Sequence, residues 1–372
     1  MSKRAVVAMS GGVDSSVAAA LLVEAGHDVT GIMLKLWSDD GANSNSGCCN
    51  VGAADDARRV ADVLDIPFYC LNMAEHFERT VVRDFHAAYS EGRTPNPCVR
   101  CNQWVKFDAL LERARALGAD ILATGHYARV DQYGGRWRLR RGVDPSKDQS
   151  YVLWMLTQDK LRQCAFPVGD LHKTETRAIA ERLGLRTAAK PDSQEICFVR
   201  DGDFGSYARE HIPAAARPGR IVDSTGRTLG THEGIGRYTV GQRRGLGVSL
   251  GMPVFVTGID AAENILRVGP KEELRVGTAI LDEVSFTGAV PNAAERVLVQ
   301  CRAHGDVFAA RLRPDAHRLI LDFEEPPDAL APGQSAVLFS GPAGDEVVGG
   351  GIVASTIPVG VEGPLVPALA DQ

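Results

Sequence analysis

The chain has 372 residues, of which 44% are apolar and 24% are charged, and its formal net charge is -6. This composition is that of a globular protein and excludes disordered, collagen-like and coiled-coil chains, while the length favours two or three domains. No apolar run approaches the roughly 18 residues of a membrane span, and the run from Ala5 to Met9 is too short for a secretory signal. The sequence therefore predicts a cytoplasmic protein without a membrane partner.

Charge is unevenly distributed along the chain. Residues 321–372 contain eight Asp or Glu and no Lys or Arg, whereas residues 200–250 contain eight Arg against five acidic residues. The overall acidity argues against indiscriminate nucleic-acid binding, but it leaves room for a local basic face.

Residues 1–200 alternate between apolar strands and helices. Strands are predicted at 5–9, 29–36, 67–71 and 121–124, and helices from the Asp14–Ser15 region to Ala25 and at 53–64, 75–89 and 107–117. The alternation predicts a parallel sheet with right-handed crossovers, in which ligands bind beyond the carboxyl ends of the strands. Gly11-Gly12, Met33, residues 94–102 and Gly125-His126 fall at or near such ends, so one pocket could gather them.

A glycine-rich turn, Ser10-Gly11-Gly12-Val13-Asp14-Ser15, follows the first strand. Two glycines let the backbone approach an anion, and the N–H groups of the following helix start supply donors. Neither GxxxxGK[ST] nor GxGxxG is present at this turn. The alternative interpretation is a tight strand-to-helix turn in which Asp14 caps the helix.

The eight cysteines have irregular spacings, which points to chemistry or burial and not to a disulfide framework. Cys98 and Cys101 lie in a segment, 93–102, whose prolines and asparagines predict a loop. Their spacing is compatible with half of a zinc site, but the sequence offers no second pair of ligands. A redox or nucleophilic role is therefore favoured. Arg100 and Lys106 lie close enough in sequence to favour a thiolate. The other predictions are a buried strand thiol at Cys197, structural thiols in apolar surroundings at Cys70 and Cys164, a strand residue at Cys301, and no assignment for Cys48 and Cys49.

Several motifs in order resemble those of one family. The glycine turn resembles the pyrophosphate loop of ATP pyrophosphatases, and within that group the chain is similar to the bacterial tRNA-specific 2-thiouridylases. The matching stretches run almost end to end: residues 8–15, 94–107, 123–127, 147–151, 190–199, 236–247 and 332–339.

The resemblance implies an enzyme that uses ATP and Mg²⁺ to adenylate the C2 oxygen of the wobble uridine, U34, and replaces it by sulfur. It implies roles residue by residue. The ATP contacts would be Ala8, Met9, Ser10, Gly11, Gly12, Val13, Asp14, Ser15, Met33 and Gly125. The target base would face Asn96, Pro97 and Cys98, and tRNA would contact His126, Lys147, Asp148, Gln149, Arg302, Ala303 and Gln334.

The same resemblance separates the catalytic cysteines from the others. Cys197 would carry the incoming sulfur as a persulfide, and Cys101 would be the nucleophile that forms a transient disulfide with it. Some relatives have Asp where this chain has Cys98, so the proton-transfer role attached to that Asp does not carry over to a thiol. The implied partners are tRNAs for Glu, Gln and Lys and a sulfur donor protein, a cysteine desulfurase or a sulfur relay protein.

The second half of the chain changes character, with frequent Gly, Pro and Arg. Two short strands are predicted within 218–230, and the Arg-rich stretch 236–247 could pair with phosphate and stack on bases, or be a solvated basic turn. Alternating strands at 297–301, 308–312, 318–323, 336–339 and 347–353 predict a small antiparallel barrel, followed by a loosely ordered tail from Pro358. We expect three domains: 1–200 with the nucleotide loop, 201–275 binding tRNA, and a barrel at 276–372. Relatives often have Arg-Tyr at the positions of Arg302-Ala303, and Ala303 cannot stack.

Two other functions are compatible with parts of this pattern. A different adenylating enzyme, such as a relative of argininosuccinate synthase, would share the glycine turn but would not need Cys101 and Cys197. A nucleotide-binding module without turnover would leave the thiols and the Arg-rich stretch unexplained. Release of AMP and pyrophosphate stimulated by tRNA would distinguish the thiolating enzyme from both.

Overall fold

The computed structural model describes residues 2–37, 51–192, 196–199, 203–248, 251–288, 290–292, 295–315, 317–341 and 343–361. Its strands are β1 Arg4–Ala8, β2 Asp28–Lys35, β3 Phe68–Asn72, β4 Ile121–Thr124, β5 Ala128–Tyr133, β6 Arg136–Arg141, β7 Cys164–Ala165, β8 Gly219–Val222, β9 Thr228–His232, β10 Phe255–Asp260, β11 Ile265–Gly269, β12 Val276–Phe286, β13 Arg296–Gln300, β14 Val307–Asp315, β15 Arg318–Phe323, β16 Ser335–Ser340 and β17 Glu346–Pro358. The helical segments are Val13–Glu24, Val51–Val63, 74–90, 97–116, Ser150–Leu153, Gln158–Leu161, Lys173–Arg182, Arg186–Ala189, Phe204–His211, Ile235–Arg237 and Lys271–Leu274.

A parallel sheet with the order β3-β2-β1-β4-β7 forms the first unit, as the alternation predicts. The central strand β1 is apolar on both faces: Val6 belongs to one core cluster, and Ala5 and Val7 belong to another. Such burial on both faces is typical of a parallel sheet covered by helices. The chain leaves β1 towards β2 on one side while β4 pairs on the other, so the crevice between the ends of β1 and β4 is where this fold binds ligands.

The helix that carries Cys98 and Cys101 begins earlier than the sequence predicts. The prediction of a loop over 93–102 is wrong from Pro97 onward, because residues 97–116 are continuously helical. The Asn96 side chain accepts the N–H groups of Cys98 and Val99 at 3.1 and 3.3 Å, and Pro97 occupies the first helical position. Asparagine as an N-cap and proline at the first turn both start helices, so these residues were signals of a helix start.

Most of the C-terminal strands form a closed antiparallel barrel. The order β12-β15-β14-β13-β16-β17 is closed by pairing between β12 and β17. The barrel was predicted, but its extension was not: the hairpin β5–β6 from the first 200 residues adds to β17 through Leu139 and Arg140. Gly134 and Gly135, both with positive φ, make the tight turn that joins the two hairpin strands.

Three parts of the chain meet around Thr94. Its N–H donates to the carbonyl of Pro332 at 2.8 Å, and its carbonyl accepts from Gln334 Nε2 at 2.8 Å. Its hydroxyl contacts that of Thr239 at 3.3 Å, which lies in the Arg-rich stretch of the central β8–β11 unit. The segment that leads into Cys98 is therefore held by both downstream units. The predicted three-domain boundaries remain a prediction.

The structure contradicts the predicted surroundings of Cys70 and agrees with the predicted burial of Cys164. Cys70 is exposed on β3, an edge strand of the sheet, so the prediction of apolar surroundings is wrong. Burial raises the pKa of Cys164 and of Cys301 to about 12, so both remain thiols at neutral pH. Cys301 directly follows β13 instead of lying within it. Cys48, Cys49 and residues 362–372 of the predicted tail from Pro358 lie outside the described residues. None of the helices described above is long and apolar enough to cross a membrane.

Candidate active site

The glycine turn after β1 is braced by its own serines. Ser15 Oγ accepts the N–H of Ser10 at 3.1 Å and donates to the carbonyl of Gly12 at 3.1 Å, where Ser16 Oγ also donates at 2.8 Å. Gly12 is the N-cap of the helix that follows, and no side chain caps that helix. The first N–H groups of the helix are thus not used by a capping side chain, which suits an anion.

Glycine is required at two positions around this turn. Gly11 has φ +71°, and a Cβ there would overlap the carbonyl oxygen of Ala53 in the second helix. Gly125 follows β4, and a Cβ there would lie 2.5 Å from the backbone nitrogen of Ser15. The ends of β1 and β4 can approach the helix start only because both residues lack side chains, so the crevice between them is narrow and lined by backbone. The predicted ATP residue Met33 is buried on the neighbouring strand β2.

A network of lysines and aspartates surrounds the turn, and sequence reasoning missed most of it. Lys173 Nζ contacts both carboxylate oxygens of Asp14, at 2.7 and 2.8 Å, and Asp192 at 2.8 Å. Lys190 Nζ reaches Asp56 at 2.9 Å and the carbonyl of Gly11 at 3.0 Å.

Further partners complete this network at Asp14 and Asp192. The Tyr127 hydroxyl contacts Asp14 at 2.8 Å and Thr176 at 2.9 Å. Lys147 and Arg177 pair with Asp192 at 2.8 and 3.2 Å. Burial works against ionisation of Asp192, but its cationic partners hold the pKa of this carboxyl below its usual value. Four cations and three carboxylates therefore converge beside the glycine turn.

Removing Lys173 should destabilise the protein measurably. Its side chain is 11% exposed and bridges two carboxylates, so Lys173→Ala leaves Asp14 and Asp192 facing each other across a partly buried gap. We expect a loss of about 2–3 kcal/mol in the free energy of unfolding, reduced from the fully buried case because both carboxylates retain some solvent. The matched control Lys271→Ala removes an exposed pair with Asp328 and should cost less than about 0.5 kcal/mol. Urea unfolding at neutral pH measures both, and equal losses would contradict this account of the network.

Cys101 and Cys197 are both associated with the same large core cluster. Cys101 is 9% exposed and belongs to the large core cluster around the 74–90 and 97–116 helices, and Cys197 packs against that cluster. Phe198 explains how Cys197 is held, because its ring contacts those of Phe77 and Phe85 at 5.7 and 5.1 Å between centroids. The residue that follows Cys197 is thus anchored on the 74–90 helix.

Arg100 does not supply unmatched charge to the neighbouring thiol. Its guanidinium makes a bidentate pair with Glu283 at 2.6 and 2.7 Å and contacts Asp84 at 3.2 Å. Two carboxylates surround this buried cation, and the expectation that Arg100 and Lys106 favour a thiolate stays a prediction. Arg100 also ties the cysteine-bearing helix to β12 of the barrel, and its guanidinium stacks over Trp104 at 4.6 Å.

His126 lies inside the protein. It is 8% exposed, its Nδ1 is 2.6 Å from the hydroxyl of Thr124, and Phe107 and Phe166 contact its ring. Burial, with a smaller effect from Lys106, holds the pKa of His126 well below its usual value, so the imidazole is neutral at pH 7. This environment is that of a structural histidine, and its predicted contact with tRNA stays a prediction.

The other predicted tRNA residues have mixed surroundings. Asp148 is buried and accepts from Arg141 at 2.7 Å and from Ser150, which makes it a structural residue of the loop. Gln149 is exposed, although its side-chain oxygen accepts the N–H of Tyr127 at 3.0 Å. Arg302 is exposed and donates to the carbonyl of Ala329 at 2.9 Å, while Ala303 and Gln334 are half-buried.

A preformed magnesium site is not apparent at the glycine turn. Within the described ranges, no three His, Cys, Asp or Glu side chains are grouped so as to hold a metal ion. Asp14 is the carboxylate at the helix start, and Lys173 and Tyr127 already engage it. The residues present therefore do not fit a resident Mg²⁺.

Three family models match successive parts of the chain. Residues 3–201 match a tRNA methyl transferase HUP domain, residues 206–270 a tRNA methyl transferase PRC-barrel domain, and residues 276–353 an aminomethyltransferase beta-barrel domain. The model descriptions mention methyl transfer, whereas the similar curated proteins carry a thiolation name.

Several curated relatives are similar over nearly their whole length. The chain is 49% identical to "tRNA-specific 2-thiouridylase MnmA" of Moorella thermoacetica, covering 94% of this chain and 99% of the relative. The proteins of the same name from Thermobifida fusca and Chloroflexus aurantiacus are 48% and 49% identical, covering 96% and 94% of this chain and 97% and 98% of their own. A solved 4-thiouridine synthetase–RNA complex with bound ATP has a TM-score of 0.35 over 57% of this chain and 50% of its own, at 16% identity, a similarity too low to support a shared site.

Proposed function

Because the chain belongs to the tRNA-specific 2-thiouridylase family, we propose that it converts uridine at the wobble position, U34, of tRNA to 2-thiouridine in the cytoplasm, with release of AMP and pyrophosphate. The observation that carries the proposal is the position of Cys101 and Cys197 on one core cluster, next to a sheet whose glycine turn is open to an anion. Neither a nucleotide-binding module nor an adenylating enzyme without sulfur chemistry would need that pair.

The glycine turn is proposed to hold the phosphates of ATP. No side chain caps the helix start, Gly11 and Gly125 allow its close approach to neighbouring backbone, and Lys173 and Lys190 lie next to the turn. Bound there, ATP supplies an adenylate that makes the C2 oxygen of uracil a leaving group. The network cations hold the phosphates while the serine bonds keep the turn rigid.

Sulfur transfer then follows from the two cysteines. The terminal sulfur of a Cys197 persulfide attacks C2 of the activated uracil, and the C2 oxygen leaves with AMP. Cys101 attacks the Cys197 sulfur, which breaks the S–S bond, leaves one sulfur on uracil and forms a Cys101–Cys197 disulfide. The alternative order releases sulfide first, when Cys101 attacks the persulfide, and gives the same products. A sulfur donor protein and a reductant of the disulfide are required for turnover.

The target uridine is proposed to enter at the start of the 97–116 helix. Cys98 is exposed there, whereas Pro97 is buried and the side-chain oxygen of Asn96 accepts two backbone N–H groups. Asn96 thus has its amide nitrogen left to offer to a base. Thr94, two residues earlier, is fixed to both downstream units, so the entrance lies where the three parts of the chain meet.

A strip of arginines beside this entrance is proposed to bind tRNA phosphates. Arg243 and Arg244 are exposed, and no carboxylate of the described residues lies within ion-pair distance of either. Gly241 packs on Ala329, which places the Arg-rich stretch beside Arg302. Three other arginines of this central unit have acidic partners: Arg227 pairs with Asp223, Arg237 with Glu233 and Arg267 with Asp260. From the family, the bound tRNAs would be those for Glu, Gln and Lys.

Charge reversal at these arginines should weaken tRNA binding without preventing ATP binding. We expect Arg243→Glu with Arg244→Glu to lower tRNA affinity about 10- to 100-fold at near-physiological salt and to flatten its salt dependence, because phosphate contacts release counterions. Arg227→Glu is the matched control: it changes an exposed arginine of the same unit that is already neutralised, and its effect should stay within a few-fold. Filter binding at several salt concentrations measures both. Equal losses for the two variants would remove the strip from the proposed interface.

Mass spectrometry of nucleosides tests the proposed function directly. Unmodified tRNA treated with the protein, ATP and sulfide should yield 2-thiouridine at position 34, in an amount that follows AMP release. Formation of ADP, or ATP cleavage that tRNA and sulfide do not stimulate, would favour one of the two alternative functions.

A further inference from the structure

Cys98 and Cys101 occupy successive turns of one helix. Residues 97–101 are helical, with φ and ψ of -63° and -41° at Arg100 and -61° and -44° at Cys101. Side chains three residues apart lie on the same helix face, with Cβ atoms about 5–6 Å apart. Disulfides need Cβ atoms about 3.5–4.5 Å apart, so a small closure of the first turn would join the two sulfurs.

The two thiols differ in accessibility. Cys98 is exposed at the first turn, whereas Cys101 is 9% exposed and belongs to the core cluster. The Asn96 side chain caps the first turn, in which Pro97, Val99 and Arg100 are buried and Cys98 is exposed. A reductant too large to enter the core can therefore reach the sulfur of Cys98 but not that of Cys101.

We propose that Cys98 is a resolving cysteine that regenerates the enzyme through a Cys98–Cys101 disulfide. The proposal rests on the proposed function, which leaves a Cys101–Cys197 disulfide after each turnover. The Cys98 thiolate attacks the Cys101 sulfur, forms the Cys98–Cys101 bond and releases Cys197 as a thiolate. An external reductant, either a small-molecule dithiol or a redox protein with two cysteines, then gives up two electrons and two protons. This step restores the thiols of Cys98 and Cys101. Cys197 is ready for the next sulfur before the reductant arrives.

The first experiment tests the pair without the reaction. The resting protein, without ATP and tRNA, is equilibrated in dithiol–disulfide buffers, alkylated and digested with trypsin. Cleavage after Arg100 places Cys98 and Cys101 in separate peptides, and Cys197 falls in a third, so each possible disulfide joins a different pair. We expect the Cys98–Cys101 pair to form while the exposed control Cys70 stays alkylated. Alkylated Cys98 in buffers that oxidise other thiols would overturn the proposal, whatever the activity of the enzyme.

The second experiment follows one turnover. Protein preloaded with persulfide is given ATP and tRNA without reductant, and 2-thiouridine and disulfides are measured in the same sample. Wild-type protein should end with the Cys98–Cys101 pair and an alkylated Cys197, and Cys98→Ser should end with the Cys101–Cys197 pair. A Cys101–Cys197 pair that persists in the wild type in proportion to 2-thiouridine would overturn the proposal. If no 2-thiouridine forms, the proposed function itself fails, and the resting-state experiment still decides whether the pair exists.

Discussion

Replacing Cys197 by serine is expected to abolish 2-thiouridine formation, with a loss of at least about 1,000-fold, because serine cannot carry a transferable sulfur. ATP affinity should stay within about 2-fold of the wild type, since the glycine turn and its lysines do not include this residue. Nucleoside mass spectrometry after incubation with ATP, tRNA, cysteine and a cysteine desulfurase, which supplies sulfur at the persulfide level, measures the first effect, and calorimetric titration with a non-hydrolysable ATP analogue measures the second.

Cys70→Ser is the matched control for that substitution. Cys70 is exposed on the edge strand β3 and has no part in the proposed chemistry, so its variant should form 2-thiouridine at close to the wild-type rate. Undiminished 2-thiouridine formation by Cys197→Ser would refute the assignment of the persulfide. A loss of folding in that variant would show as lost ATP binding and would be distinguished by the titration.

Gly125→Ala should nearly eliminate ATP-dependent activity through one added methyl group. The new Cβ would lie 2.5 Å from the backbone nitrogen of Ser15, and backbone cannot move aside as a flexible side chain would. Relief requires β4 and the helix start to separate, which costs about 1–3 kcal/mol of stability. Because the same helix start is proposed to hold the phosphates, we expect kcat/KM for ATP to fall by about 100-fold or more.

Gly258→Ala provides the comparison for a glycine with room around it. A Cβ there meets nothing closer than 3.7 Å, and its φ is not in the left-handed region, so the change should leave both stability and kcat/KM near the wild type. Steady-state pyrophosphate release at varied ATP, combined with thermal unfolding, measures both variants. If Gly125→Ala binds and cleaves ATP normally, the crevice between β1 and β4 is not the nucleotide site.

The parallel sheet and barrel followed from local patterns, and so did the glycine turn. Apolar runs such as Ala5 to Met9 and the alternating strands after residue 296 carry their signal within a few neighbouring residues. The hairpin β5–β6 was missed because its strands are rich in arginine and lack an obvious apolar face, although Gly134-Gly135 was an available turn signal. Its place beside β17 depends on pairing across some 200 residues, which no local pattern encodes.

Contacts between residues distant in sequence also limit the prediction of the site. Lys173, Lys190 and Asp192 are ordinary surface-type residues in sequence, and only the fold brings them to the glycine turn. Asn96-Pro97 was interpreted as part of a loop, although the same two residues are also a helix start, because the turn and cap signals of these residue types overlap. The pairing of Arg100 with Glu283 likewise joins residues 183 positions apart.

The most direct test of the proposed adenylation follows the oxygen that leaves C2 of uracil. A tRNA anticodon stem-loop carrying ¹⁸O at the C2 oxygen of U34 is incubated with the enzyme, ATP and sulfide. The mass of the released AMP is then measured by mass spectrometry. Adenylation of the C2 oxygen predicts AMP heavier by about 2 Da, in an amount equal to the 2-thiouridine formed, because the oxygen departs on the α-phosphate. Unlabelled AMP with labelled oxygen released to water would contradict it.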